Sequence, residues 1–270
     1  MSSLEDRLKV IVKDKYTQIA NQSKEQNASS CCGATCGCST TDDAIFAEDY
    51  SKLAGYVPDA DLALGCGIPV EVAAIKTGDS VLDLGSGAGN DVFVARRIVG
   101  DNGKVIGVDM TEAMIEKAKN NNVKLGYHNV EFRQGDIEHL PVDSTSTDVV
   151  ISNCVLNLVP DKPKAFSEIF RVLKPGAHFA ISDVVTTGPL PESIKSAAEM
   201  YAGCVSGAIA KESYLDLIKK AGFKNVDVKK EKGIDIPEEV LMNYLNAEEL
   251  QKFKSSGAGI LSVTVYGERP

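Results

Sequence analysis

The fold is read from Ser80-Val81-Leu82-Asp83-Leu84-Gly85-Ser86-Gly87-Ala88-Gly89-Asn90-Asp91. Val81 to Leu84 form a short apolar run that ends in a turn with glycine at 85, 87 and 89. Beyond it, Val92, Val94, Ala95 and Ile98 recur at helical spacing. The predicted unit is a strand, a glycine turn and a helix. Glycine at such a turn takes dihedrals that other residues avoid and lets a ligand approach the backbone closely.

The alternation continues outward. Residues 104–109 (KVIGVD) read as the second strand. Thr111 can cap the following helix, with Met114, Ile115 and Ala118 on its inner face. Residues 129–136 read as the third strand and 148–153 as the fourth. A helix over 162–173 stops at Lys174-Pro175-Gly176. Residues 178–183 read as the fifth strand and 191–222 as helical, and 226–231 and 260–267 can close the sheet. This order implies a doubly wound α/β fold, Rossmann-like, with a mainly parallel seven-stranded sheet and an insert after the fifth strand as a substrate cap. The expected organisation is an N-terminal part over 1–43, a nucleoside-binding α/β domain over 44–187, and over 188–270 the cap insert with the closing strands. Within the first part, Leu4, Leu8, Ile11, Val12 and Ile19 have roughly helical spacing. Residues 21–43 are almost all small or polar, with four cysteines, and read as a mobile segment.

Composition narrows the function. The 270 residues hold 29 basic and 38 acidic side chains, a net charge of -9, which repels a nucleic-acid backbone. The longest apolar run, 149–159, is broken by Ser152, Asn153 and Asn157, so no membrane span is expected. The charged N-terminal stretch does not read as a secretory signal, so the expected location is the cytoplasm, where thiols stay reduced. Seven cysteines, an odd number, then point to ligands or reactive thiols. His128, His139 and His178 form no pattern.

Twenty-four residues after Gly85, Asp109 ends the second strand, where a carboxylate accepts from both hydroxyls of a ribose. Asp136, ending the third strand, and the neighbouring backbone of Ile137 can reach an adenine edge. A dinucleotide turn needs a third glycine where Asn90 stands. Asp83, two residues before Gly85, suits a cationic sulfonium and would repel pyrophosphate. The turn resembles the first motif of the class I S-adenosylmethionine methyltransferases.

Three cysteines lie outside the mobile segment: Cys66 in Gly65-Cys66-Gly67, Cys154 after the fourth strand, and Cys204 in the insert. Each can be read as a small buried hydrophobe. The flanking glycines argue instead for mobility and access. Cys154, at the fourth-strand end, should face the transferable methyl. Zinc wants four ligands, usually in close pairs. Three widely separated thiolates fit a trigonal pyramidal centre such as As(III).

Gly65-Cys66-Gly67, Asn153-Cys154-Val155-Leu156-Asn157-Leu158 and Gly203-Cys204-Val205-Ser206-Gly207-Ala208 resemble the cysteine motifs of the arsenite S-adenosylmethionine methyltransferases. Asp83 to Gly89 and Gly107-Val108-Asp109-Met110-Thr111 resemble that family's cofactor motifs, and the likeness spans about 28–266. It implies that Cys154 and Cys204 hold arsenic during turnover and that Cys66 is the third thiol. It implies that Cys31 or Cys32 pairs with Cys66, and that Met110 and Asn153 join the cofactor site. Arsenite and methylarsenite are the implied substrates. A cellular thiol such as glutathione, or thioredoxin as a partner, is the implied reductant. In one departure, Leu64 stands where animal and algal members carry an aromatic residue. The rival readings are a C- or O-methyltransferase of a small organic acceptor, which leaves the cysteines unexplained, and a non-catalytic metalloid-binding protein, which leaves the cofactor motifs unexplained.

Overall fold

The computed structural model describes residues 4–22, 26–27, 48–188, 207–235, 238–242 and 245–270. In chain order the elements are α1 (Leu4–Ala20), β1 (Ser80–Leu84), α2 (Asn90–Val99), β2 (Lys104–Asp109), α3 (Glu112–Leu125), β3 (Val130–Gln134), β4 (Thr147–Asn153), α4 (Lys162–Val172) and β5 (Leu173–Thr187). Then come α5 (Lys211–Lys220), β6 (Lys224–Ile234), α6 (Glu238–Leu241), α7 (Ala247–Ser256) and β7 (Gly259–Glu268).

The strands form one seven-stranded sheet in the order β3-β2-β1-β4-β5-β7-β6. β1 to β5 run parallel, while β7 lies antiparallel between β5 and β6. β1 and β4 are buried on both faces, which is why Val81-Leu82 and Val149-Val150-Ile151 follow one another without polar alternation. One core face packs Leu82, Leu84, Phe166, Ile169 and Phe179, and the other Val81, Val92, Phe93, Val105 and Ile151.

The helices follow from local chemistry. In α4, Ala165, Phe166, Ile169 and Val172 make one buried stripe, and the side chain of Asp161 accepts from the Lys164 amide at the N-terminus. Lys174-Pro175-Gly176 does end that helix, but the chain is already extended there, so β5 begins at Leu173 and runs to Thr187. That is longer than predicted at both ends: Leu173 pairs with Thr147 of β4, and pairing with β7 carries the strand past 183 to Thr187. Thr111 precedes α3 without a side-chain cap bond; its amide bonds to Asp109 instead. Of the predicted helical stretch 191–222, the described part holds α5, while 191–206 lies outside the described residues. α7, closed by a capping box between Asn246 and Glu249, was not anticipated. No helix among the described residues is long and apolar enough to cross a membrane.

Candidate active site

Strand order reverses between β1 and β4, and open α/β sheets bind ligands at the carboxyl ends of strands flanking such a point. β1 ends at Leu84, beside Ser152 of β4. The turn that follows has positive φ at Gly85, Gly87 and Gly89 (67°, 51° and 99°). A Cβ on Gly85 would stand 2.3 Å from Cγ2 of Val155, so glycine is needed for space as well as conformation. The glycine turn therefore abuts the loop that carries Cys154. Cys154 has φ 61°, a left-handed conformation that costs a non-glycine residue about 1–3 kcal/mol. Its N–H donates to the Ser182 carbonyl at 2.8 Å, tying the strained residue to β5.

The pocket collects acids. Asp109 fixes the turn by accepting from the Gly87 amide (3.0 Å) and the Thr111 amide (2.8 Å). Asp83 and Asp91 are almost fully buried. Burial pushes the Asp83 carboxyl well above the usual range, and the charges of Asp91 and Asp109 push it further. Burial raises Asp91 to about 6, although Tyr50 and Asn153 donate to it. Burial also raises Asp109, against the hydrogen bonds it accepts. A cation among these carboxylates relieves both desolvation and mutual repulsion. The donor set therefore fits a sulfonium and an amino acid ammonium, and it disfavours pyrophosphate.

Of the predicted cofactor residues, Asp83, Gly85, Gly87, Asp109, Met110, Asp136, Ile137 and Asn153 line one pocket. Gly89 is not in its lining; a Cβ there would meet Phe93 and Phe132, so this glycine serves packing. Asp136 accepts from Lys9 at 2.6 Å and from the Glu138 amide at 2.9 Å, and Lys9 also pairs with Glu138. With Lys9, Val12 and Tyr16, α1 forms part of the pocket wall, which the sequence did not indicate.

Cys66 and Cys154, both buried, share one apolar cluster with Val184, Ile234 and Ile260. Cys154 lines the pocket; Cys66 does not, although Leu64 and Gly65 do. The Cys66 amide donates to Oδ1 of Asn153 at 3.1 Å. Nδ2 of Asn153 donates to the Gly67 carbonyl and the Tyr50 hydroxyl, each at 2.8 Å. Tyr50 donates in turn to Asp91 at 2.8 Å. The glycines flanking Cys66 prove to serve close packing rather than access: a Cβ on Gly65 would lie 2.6 Å from Nδ2 of Asn153, and one on Gly67 2.6 Å from Oγ of Ser182. Sequence reading missed Tyr50 and Asp91. Asp91 stands next to the glycine motif, but its partners are distant in sequence. Cys204, Cys31 and Cys32, like Cys36 and Cys38, lie outside the described residues.

Residues 75–222 match a family described as a methyltransferase domain. The chain is 43% identical over 231 residues to the arsenite methyltransferase of Halobacterium salinarum, covering 81% of this chain and 58% of that protein. It is 32% identical over 245 residues to the arsenite methyltransferase of Aquipseudomonas alcaligenes, covering 87% and 67%. Among solved structures, CrArsM, an arsenic(III) S-adenosylmethionine methyltransferase from Chlamydomonas reinhardtii, superposes with a TM-score of 0.63 at 38% identity, covering 75% of this chain and 66% of that one. The chain spans about half to two thirds of the length of these curated relatives.

Proposed function

The chain belongs to the arsenite methyltransferase family, and on that footing we propose that it transfers a methyl group from S-adenosylmethionine to trivalent arsenic held by cysteine thiolates. The observation that carries this reading is that Cys154 lines the same pocket as Asp83 and the glycine turn, while sharing a buried cluster with Cys66. The rival reading, an organic acceptor, gives those two thiols no task.

Asp83 and Asp91 would hold the positive end of the cofactor, Asp109 the ribose, and Asp136 with Ile137 the adenine edge. Bound there, S-adenosylmethionine supplies a methyl already activated by its sulfonium charge. No general base is needed at the transfer, because thiolate-bound arsenic keeps a lone pair. The chain contributes alignment of that lone pair with the methyl carbon and sulfur, a contribution on the order of 7–11 kcal/mol. As the As–C bond forms and the S–C bond breaks, arsenic becomes formally pentavalent. Two thiols return two electrons by forming a disulfide. Cys66 with Cys31 or Cys32 is the proposed donor pair, reset by glutathione or thioredoxin. Cys204 joins Cys154 in holding arsenic. In support, Gly207, three positions further on, lies against the carbonyl of Asn157 in the Cys154 loop.

The test is Cys66→Ser, Cys154→Ser and Cys204→Ser, each assayed with arsenite and with methylarsenite. Arsenite can bind three thiolates, whereas methylarsenite has one bond taken by carbon. Cys154→Ser and Cys204→Ser should abolish both reactions, because a hard, protonated oxygen binds arsenic poorly. Cys66→Ser should lose the first and keep much of the second. Substantial methylarsenite turnover by Cys154→Ser or Cys204→Ser contradicts the assignment.

A further inference from the structure

Asn153 stands between the cofactor pocket and the thiol cluster. Its Oδ1 accepts from the Cys66 amide at 3.1 Å. Its Nδ2 faces three acceptors: the Gly67 carbonyl and the Tyr50 oxygen, each at 2.8 Å, and Oδ2 of Asp91 at 3.2 Å. The Tyr50 hydroxyl faces Oδ1 of Asp91 at 2.8 Å and the same Gly67 carbonyl at 3.0 Å. Tyr50 has one hydrogen to give and the Asn153 amide two. Five contacts therefore compete for three hydrogens. Burial, and then the charge of Asp91, push the Tyr50 hydroxyl well above its ordinary range, so it stays a donor. The hydrogens can be turned toward Asp91 or toward Gly67.

Those two ends belong to different sites. Asp91, Tyr50 and Asn153 line the cofactor pocket, whereas Cys66 and Gly67 do not. The Cys66 carbonyl is held separately, by the hydroxyl of Ser262 in β7. The Cys66 amide is thus the end that answers to the pocket. An ammonium beside Asp91 favours the ionised carboxylate, and hydrogen bonds to an ionised acceptor are roughly twice as strong as neutral ones. Tyr50 and one Asn153 hydrogen then point at Asp91, and the other Asn153 hydrogen serves Gly67 and Tyr50. The amide is locked, with Nδ2 toward the anion and Oδ1 toward the Cys66 N–H. Without a cation nearby, burial disfavours that charge, Tyr50 turns to Gly67, and the grip on Asn153 loosens.

We propose that Tyr50 and Asn153 are positioning residues that couple the two binding events of the reaction proposed above, on which this inference rests. The amino acid end of the methyl donor, bound beside Asp91, fixes the Asn153 amide, and Asn153 fixes the backbone that aims the Cys66 thiol. Arsenite is then gripped most tightly when the methyl donor is already in place. The coupling is reciprocal, so bound arsenite tightens the cofactor by the same factor. It acts through Cys66, and it therefore belongs to arsenite, which takes three thiolates, and not to methylarsenite, which takes two.

The experiment titrates the reduced full chain, carrying Cys31→Ser, Cys32→Ser, Cys36→Ser and Cys38→Ser so that the inner thiols report, with arsenite and separately with methylarsenite. Each titration follows the ultraviolet absorption of arsenic–thiolate bonds, with and without S-adenosylhomocysteine, which keeps the amino acid end but has no methyl to give. Arsenite should bind on the order of 10-fold more tightly when S-adenosylhomocysteine is present, and calorimetry should show S-adenosylhomocysteine gaining the same factor from arsenite. Methylarsenite should gain less than about twofold. Tyr50→Phe keeps the ring but removes the shorter of the two links to Asp91, and its gain for arsenite should fall to the methylarsenite level. A hydroxyl that serves only to hold the fold would weaken each binding step and leave the gain intact. Calorimetric binding of S-adenosylhomocysteine shows that Tyr50→Phe is folded; if it is not, the contrast between arsenite and methylarsenite decides. No gain for arsenite, an equal gain for both arsenicals, or an undiminished gain in folded Tyr50→Phe overturns the coupling alone. A chain that binds no arsenite overturns it together with the proposed reaction.

Discussion

Asp109 joins two jobs in one side chain: its oxygens hold the Gly87 and Thr111 amides, and it lines the pocket. Asp109→Ala should weaken S-adenosylmethionine binding by about 1.5–3 kcal/mol without unfolding the chain, because a charged acceptor is lost while the sheet is untouched. Calorimetric titration checks this, and an unchanged affinity would remove Asp109 from the site. Asp91 gives the pH dependence. Its folded pKa of about 6 lies above its ordinary value, so without cofactor its contribution favours folding at low pH and is lost as pH rises through about 6. A bound cation prefers the ionised form and reverses that preference. Thermal stabilisation by S-adenosylmethionine should therefore be larger at about pH 7.5 than at about pH 5.5, read as the shift in melting temperature. An equal shift at both would mean that Asp91 does not sense the cofactor. Asp83 and Asp109 were legible in the sequence because their roles follow from position relative to one glycine turn. Tyr50 was not, since its task is defined by Asn153, which no local pattern links to it.

Between single side chains and the sheet stands the strap around Cys66. Its glycines let the backbone lie against Asn153 and Ser182, so the Cys66 thiol is placed by contacts with β4 and β5. In Gly65→Ala the new Cβ meets the amide of Asn153, whose hydrogen bonds resist displacement. The expected cost is about 1–3 kcal/mol of stability. Arsenite turnover should fall more than cofactor affinity; parallel kinetics and titration check this, and an equal fall in both would show that the strap serves the cofactor. Apolar periodicity made β1, β2 and α2 legible nearly to the residue and placed the start and inner face of α3. β5 was read too short past residue 183 because its extension there depends on pairing with β7, about eighty positions away, rather than on its own composition. α7 was missed because its helical stripe is thin, with Leu250 as its buried residue. For the N-terminal cysteines, a quadruple serine variant at Cys31, Cys32, Cys36 and Cys38 should retain more methylarsenite than arsenite turnover, since external thiols can supply electrons. Equal collapse of both contradicts that division.

At the scale of the whole molecule, topology makes the site. The reversal of strand order places the end of β1, with its glycine turn, beside the end of β4, with Cys154, and β7 then pins β5 behind both. The doubly wound sheet was readable because alternating strands and helices leave few other packings. That Cys66 would meet Cys154, 88 positions away, was expected from the three-thiolate reading and the family resemblance; that Val184, Ile234 and Ile260 would complete their cluster was not, because those contacts depend on how β5, β6 and β7 pair. The central claim is that this pocket delivers a methyl group to arsenic rather than to an organic acceptor. It is tested most directly by incubating the reduced chain with arsenite, a thiol and methyl-labelled S-adenosylmethionine, then separating the arsenic species. The account predicts label in methylated arsenic, dependent on Cys154. Label absent from arsenic, while S-adenosylmethionine still binds with Asp109-dependent affinity, would contradict it.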